Sequence, residues 1–165
     1  MAESINFDGI IDDVSYFNTA LSATEVQELF ADGVALDATT HSKAGNLMGY
    51  WRNDGISSWA DRRGWSYLSF DGTGDYVNCG TDNSYYGNGD LTLSCWVRSD
   101  ATSSEGYLIA RDTGSDPNRC FYLLMQGSSQ QLQMRVEDNS NNDAYNRTST
   151  VIDDGAWHHC VGVYD

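Results

Sequence analysis

From about residue 65 to residue 165 the sequence is a regular run of short apolar-rich segments separated by Gly, Asn, Asp and Ser. These segments are WSYLSFDG, DYVNCG, LTLSCWVRS, GYLIARD, CFYLLMQG, QLQMRVED, TSTVI and WHHCVGVYD. In LTLSCWV the leucines, the cysteine and the valine fall on one face, and Thr92, Ser94 and Trp96 fall on the other. Strands at this spacing, joined by short polar turns, are typical of an antiparallel sandwich or jelly roll. The sequence therefore predicts an all-β fold.

The first thirty residues predict one more strand, followed by a short helix. IIDDVSYFN alternates, with Ile11, Asp13 and Ser15 on one face and the residues between them on the other. In the next stretch, LSATEVQELFADG, Ser22 stands three residues before Glu25, which is the spacing of a capping box. The apolar stripe that follows contains Val26, Leu29 and Phe30, and Gly33 is the expected stop. A helix this short and one-sided is expected to dock on a sheet.

The charge balance limits the partners. Asp and Glu number 24 against nine Lys and Arg, which gives a formal net charge of −15. Such a chain repels nucleic acid and anionic membrane surfaces, and it has no run of 18 apolar residues that would insert into a membrane. Carboxylates in this density suit divalent cations, calcium above all, because hard cations take oxygen ligands. Acidity that only keeps the protein soluble is the alternative.

Four cysteines are present, and none is part of a CxxC pair. The spacing of a zinc site is therefore missing. The cysteines are either buried thiols or members of one or two disulfides.

The sequence offers little support for catalysis. Retaining sugar hydrolysis needs two carboxylates at a defined separation, and VEDNSNND, the nearest acidic stretch, has the composition of a loop. His158 and His159 stand in WHH, and no serine lies in a nucleophile elbow. A structural role is expected for both histidines, and the protein is predicted not to be an enzyme.

Three stretches resemble a known family. YLSFDGTGDYVNCG, LTLSCWVRS and DDGAWHHCVGVYD, in this order, resemble the opening half of laminin-G-like, concanavalin A-like jelly-roll domains. FDGIIDDVSYFNTALSATEVQELFADG, from Phe7 to Gly33, resembles the closing strand and helix of the same family. The resemblance implies a sandwich of the concanavalin A-like lectin/glucanase type with one short helix near the N-terminus.

The closing segment stands first in this chain, which suggests a division into three parts. Residues 1–36 are predicted to be the closing strand and helix of a laminin-G-like unit, and residues 37–64 a linker and lead-in. Residues 65–165 are then the opening half of a jelly roll, incomplete at its C-terminus. Either the chain spans the junction of two tandem repeats, or it is a permuted unit whose first strand folds back into the later sheet.

The resemblance also implies a structural calcium ion. In relatives an Asp on the closing strand and oxygens near the opening FDG bind the ion. The matching positions in this sequence are Asp12, Asp13, Asp71, Gly72 and Asp75. The simpler alternative is that Asp71 and Asp75 only shape turns.

Binding of a carbohydrate or glycoprotein is the usual function of such modules. It needs aromatic rings for the sugar ring and polar side chains for its hydroxyl groups. The ligand-binding candidates are Trp96, Tyr107, Asp112, Asn118 and Tyr122, and Tyr145 and the pair Tyr85–Tyr86 are further aromatic candidates.

Pentraxins, which are distant relatives, join cysteines in the two strands that match LTLSCWV and HHCVGV. A Cys95–Cys160 disulfide is therefore possible, although Cys95 stands one residue out of register in the alignment of the motifs.

We thus expect a non-catalytic extracellular recognition module, carbohydrate-binding or adhesive, with a structural calcium. It would be secreted, or exposed on a cell surface or virion. The alternative is a structural subunit of a surface filament, adhesin or virion fibre that self-associates with neighbouring copies by strand exchange.

Overall fold

The computed structural model describes residues 6–52, 67–80, 89–100, 105–111, 120–137 and 143–165. Within them the chain forms nine strands and one α-helix. These are β1 Asp8–Phe17, α1 Ala23–Phe30, β2 Leu47–Trp51, β3 Leu68–Asp71, β4 Leu91–Arg98, β5 Gly106–Arg111, β6 Cys120–Gln126, β7 Gln131–Glu137, β8 Asp143–Val151 and β9 His158–Tyr164. Single 3₁₀ turns cover Ala31–Gly33, Ala38–Thr40 and Ala44–Asn46.

The strands form two antiparallel sheets. The first has the order β2-β1-β4-β9, with β3 also paired to β1, and the second has the order β5-β6-β7-β8. The all-β sandwich with one short helix near the N-terminus, predicted from the sequence, is confirmed.

The main core lies between the two sheets. Alternation in β4 sends Leu91, Leu93, Cys95 and Val97 into it, as predicted. The second sheet contributes the inward residues of β6 and β7, which are Phe121, Leu123, Met125, Leu132 and Val136, with Met134 packed against them. Burying one such side chain contributes about 1.5–3 kcal/mol.

Helix α1 covers the other face of the first sheet. Its capping box is confirmed: the Ser22 hydroxyl accepts a hydrogen bond from the Glu25 amide, and the Glu25 carboxylate accepts one from the Ser22 amide. A second apolar cluster beneath the helix contains Phe17, Leu21, Leu29 and Ala38. Thr92 also links this layer to the sheet, since its hydroxyl accepts from the Leu21 amide and donates to the Thr19 carbonyl. Both faces of β4 are therefore buried.

The alternation predicted for β1 is wrong beyond Asp12, because the strand contains a bulge. Asp13 has φ 48°, and the register against β4 shifts between Asp12 and Ser15. The extra residue reverses the faces, so that Ile11 and Tyr16 both point into the main core.

Two other segments differ from the prediction. LMGYW forms β2, although it lies in residues 37–64, which were expected to be a linker and lead-in. DYVNCG was expected to be a strand, but residues 75–80 belong to no strand. Side chains turn the chain at both ends of this stretch: the Thr73 amide donates to Asp71 and the Gly80 amide to Asn78. Tyr76 and Val77 are consequently exposed.

Strand β1 is an internal strand of the first sheet. It pairs with β4 on one side and with both β2 and β3 on the other. In this structure the N-terminal strand thus lies in the chain's own sheet. The boundaries at residues 36 and 64 stay a prediction. No helix in the described ranges has the length and apolarity needed to cross a bilayer.

Candidate functional site

The outer face of the second sheet carries an aromatic and polar surface. Alternation in QLQMRVE turns Leu132, Met134 and Val136 to the core, and it turns the glutamines, Arg135 and Glu137 outward. We call this surface the outer face and define it by its outward residues, which are Tyr107, Tyr122, Leu124, Gln133, Arg135, Glu137, Tyr145 and Arg147.

The strand register arranges the outer face in two rows. The first row runs Tyr122, Arg135, Tyr145 across β6, β7 and β8. The second row runs Tyr107, Leu124, Gln133, Arg147 across β5 to β8. Directly opposed residues in an antiparallel pair have Cα atoms about 4.5–5.5 Å apart, so the exposed members of a row are close enough to contact one small ligand.

The predicted residues Tyr107 and Tyr122 meet on this face. Their ring centroids lie 5.3 Å apart at an interplanar angle of 31°. Tyr122 is buried, so its ring supports the half-buried Tyr107. At the far end of the first row Tyr145 has 65% of its surface exposed. The face thus offers a supported aromatic pair and a freely accessible ring.

Charged and amide groups lie between these rings. Arg135 forms an ion pair with Glu137, at 3.4 Å between Nη2 and Oε1. Arg147 donates from both Nε and Nη2 to the side-chain carbonyl of Gln133, at 3.2 and 2.8 Å. The combination of aromatic rings with fixed donors and acceptors can bind a polyhydroxylated ring.

Trp96 does not belong to this surface. It lies on the first sheet, where its ring stacks with Phe30 of α1 and with His159 of β9, at 5.7 and 5.1 Å between ring centroids. Only 6% of Trp96 is exposed, because the end of α1 covers it. The expectation that Trp96 contacts a ligand is not supported by this position. Asp112, Asn118, Tyr85 and Tyr86 lie outside the described residues.

A serine–histidine pair lies beside Trp96. The Ser94 hydroxyl is 2.8 Å from His159 Nε2, and burial lowers the pKa of His159 to about 4. Ser94 is 2% exposed, so a substrate has no access to its hydroxyl. His158 is hydrogen-bonded to Asp154 instead. The Ser94–His159 pair thus helps to hold α1 on the first sheet.

The predicted calcium ligands lie in two separate places. The register of β1 and β3 sets Asp71 opposite Asp8. Asp12 lies four residues further along β1, opposite Trp96 of β4. Asp71, Gly72 and Asp75 share one turn, in which the Asp71 amide donates to Asp75. Gly72 has φ 77°, and a Cβ there would lie 3.1 Å from Asp8 Cβ. In the described ranges no three His, Cys, Asp or Glu side chains form a metal-binding group.

Asp13 is engaged elsewhere. Its carboxylate accepts a hydrogen bond of 2.5 Å from the Tyr50 hydroxyl. Burial raises the pKa of Asp13, against the lowering effects of that hydrogen bond and of Arg52. Asp12 accepts from the Asp13 amide and so stabilises the bulge. Both residues thus have a structural role in β1.

Cys95 and Cys160 lie directly opposite each other on β4 and β9. Both side chains are buried and their thiols are free in this structure. The two cysteines are thus in register between the strands, although the motifs predicted an offset of one residue. The possible Cys95–Cys160 disulfide stays a prediction.

Arg135, Glu137, Gln133 and Arg147 were not among the sequence candidates. Alternation in QLQMRVE was a usable signal for the residues of β7. No comparable sequence signal identifies Arg147, because its orientation depends on a register that shifts between Gln131 and Gln133.

Comparison with known proteins agrees with the fold. A laminin G family model, described as concanavalin A-like lectin/glucanases superfamily, matches residues 71–165, more than half of the chain. Searches of the curated proteins and of the solved structures gave no match. Laminin-G-like domains are generally non-catalytic binding modules and are typically extracellular. The chain belongs to the laminin-G-like domains of the concanavalin A-like lectin/glucanases superfamily.

Proposed function

We propose that the protein is a non-catalytic recognition module that binds carbohydrate on the outer face, and that it works outside the cell or on an exposed surface. The observation that carries the proposal is the row Tyr122, Arg135, Tyr145, with an exposed ring at its end. Because one fold can serve many functions, the proposed function rests on this surface and not on the fold.

The chemistry of the face suits a sugar ring. The exposed ring of Tyr145 offers an apolar plane for the C–H face of a pyranose, since aromatic rings bury large apolar area with few rotatable bonds. Arg135 supplies donors and Glu137 supplies acceptors for hydroxyl groups. A hydroxyl that both donates and accepts can be satisfied by such a pair.

Glycan binding is tested on an array, followed by calorimetry with the best oligosaccharide. Tyr145→Ala should weaken binding about tenfold, or about 1.4 kcal/mol, because it removes the stacking plane. Tyr76→Ala is the matched control, since Tyr76 is 79% exposed and lies outside the outer face. If Tyr145→Ala leaves binding on the array unchanged, the outer face is not the binding site. If the wild-type protein binds no glycan, the proposed function is wrong.

Calcium binding is a second part of the proposal, restricted to the turn from Asp71 to Asp75. Its support is the chemistry of the turn: it carries the two aspartates Asp71 and Asp75, the Asp75 carboxylate accepts from the Asp71 amide, and strand pairing sets Asp8 opposite Asp71. Calcium takes six to eight oxygen ligands, so backbone carbonyl groups and water would have to supply the others. Asp12 and Asp13 are not needed by this proposal.

Thermal unfolding in calcium or in chelator tests this part. Calcium at 100 times its Kd would stabilise the fold by about 2.7 kcal/mol. Asp75→Asn should remove most of that gain, whereas Asp32→Asn, a change of the same charge outside the turn, should keep it. Equal unfolding temperatures with calcium and with chelator would contradict a structural calcium.

The alternative function, a structural subunit, has one observation in its favour. In the described part of the chain β9 pairs with β4 alone, along seven residues without a register shift, and it contains no Lys, Arg, Asp, Glu or Pro. Natural edge strands usually carry such features to prevent pairing with other chains. Light scattering over a wide concentration range tests this hypothesis. A protein that stays monomeric at every concentration would contradict it.

A further inference from the structure

We propose that Arg147 sets the specificity of the outer face by binding the carboxylate of an acidic sugar, a uronic acid. The proposal rests on the carbohydrate-binding function given above and adds the class of sugar.

Within the ranges that the structure describes, the bonds of Arg147 leave one edge of its guanidinium open. The Nε and Nη2 groups both donate to the same Gln133 oxygen. Of the five N–H donors of an arginine, the pair formed by one N–H on Nη1 and one on Nη2 remains for a ligand. Two parallel N–H groups match the two oxygens of a carboxylate. The amide of Gln133 therefore orients the guanidinium and leaves its charge intact.

Among the described residues, no carboxylate is paired with Arg147. In the part of the chain that the structure describes, its side-chain bonds go to the neutral Gln133. Arg52 and Arg135, by contrast, are paired with Asp37 and Glu137. Asp and Glu number 24 in this chain, so an exposed arginine held by an amide is a distinctive arrangement. A ligand that brings its own carboxylate completes the pair.

The position of Arg147 relative to Tyr145 suits a sugar acid. The two side chains lie on the same face of β8, two residues apart, which is about 6.6 Å along the strand. A pyranose ring stacked on Tyr145 can therefore direct the carboxylate on its C5 carbon toward Arg147. The same ring keeps its hydroxyl groups near Arg135 and Glu137.

Calorimetry with three sets of oligosaccharides tests the proposal on the full chain. The sets are oligogalacturonides, the same oligomers with methyl-esterified carboxyl groups, and sulfated neutral oligosaccharides of equal length. The acid should bind at least about tenfold more tightly than its ester. Arg147→Gln should abolish that preference, and Arg147→Lys should keep only part of it, because an ammonium group lacks the fork.

Arg98→Gln is the matched control, since Arg98 is exposed at the end of β4 and lies on the other sheet. It changes the net charge equally and should leave the preference intact. Equal affinity for acid and ester, or a preference that survives Arg147→Gln, would overturn the proposal. Tighter binding of the sulfated set would overturn the carboxylate in favour of sulfate. Even then, Tyr145-dependent binding of neutral glycans would support the proposed carbohydrate-binding function.

Discussion

Gly162 lies on the inner side of β9, where the first sheet meets the second. A Cβ at this position would be 2.5 Å from Met134 Sδ, 3.1 Å from Met134 Cβ and 3.1 Å from Leu123 Cδ1. Gly162→Ala should therefore lower the free energy of unfolding by about 1–3 kcal/mol, the usual cost of overpacking a core. Gly45→Ala is the control, because a Cβ there meets nothing within 4 Å. Denaturant unfolding of both variants measures the difference, and equal stabilities would contradict the packing described.

The cysteines provide a second test at single residues. Burial raises the pKa of the Cys160 thiol to about 12 and that of Cys95 well above its ordinary value. Partial burial also raises the pKa of Cys79, but this side chain is exposed to reagents, whereas the other two are buried. Because the thiolate is the reactive form, iodoacetamide should modify Cys79 in the folded protein and the other two only after unfolding. Peptide mapping by mass spectrometry identifies each site. A linked Cys95–Cys160 peptide in an oxidised sample would instead show the disulfide.

Helix α1 is attached to the first sheet at its C-terminal end by three stacked rings. Phe30 lies 5.7 Å from Trp96 and 6.0 Å from His159, and the last two lie 5.1 Å apart, measured between ring centroids. The serine beside them also holds His159 at 2.8 Å. Packing here depends on a neutral imidazole, because burial disfavours the charged form.

This attachment should weaken in acid. The pKa of His159 is about 4 in the folded state and about 6.5 in an unfolded chain, so below pH 6.5 the unfolded state binds the extra proton. The stability that neutral His159 contributes is fully present above pH 6.5. It falls by about 3 kcal/mol as the pH drops toward 4. The measurement is the free energy of unfolding from pH 7 to 4 for the wild type and for His159→Gln. Parallel pH profiles of the two proteins would contradict the prediction.

The strands show how far the sequence predicts this fold. Leu91 and Thr92 were assigned to the correct faces because β4 alternates without interruption. The faces of Ile11 and Tyr16 could not be assigned, since a single residue in the left-handed conformation, Asp13, reverses the strand's later half. The structure brings the candidates Tyr107 and Tyr122 together on one face, and their role in binding stays a prediction. The orientation of Arg147 depends on a register shift between β7 and β8 that only tertiary structure fixes.

The whole molecule depends on its N-terminal strand. Strand β1 separates β4 from β2 and β3, and Phe17 and Ile11 bury their side chains on opposite faces of the sheet. If residues 1–36 were removed, β4 would lose its partner on one side and both apolar clusters would lose members. The fold-back arrangement therefore predicts that the N-terminal part and the rest of the chain form one cooperative unit.

A protein of residues 37–165 should accordingly fail to give a cooperative thermal transition or a near-UV circular dichroism signal. A synthetic peptide of residues 1–36 added in trans should restore both, because it supplies the missing internal strand and the helix. The matched control is the same peptide with Ile11→Asp and Phe17→Asp, which places charges at positions that are 4% and 0% exposed. This peptide should restore nothing. Cooperative unfolding of residues 37–165 alone would instead assign β1 to a preceding repeat, and the junction of two tandem units would then be the correct interpretation.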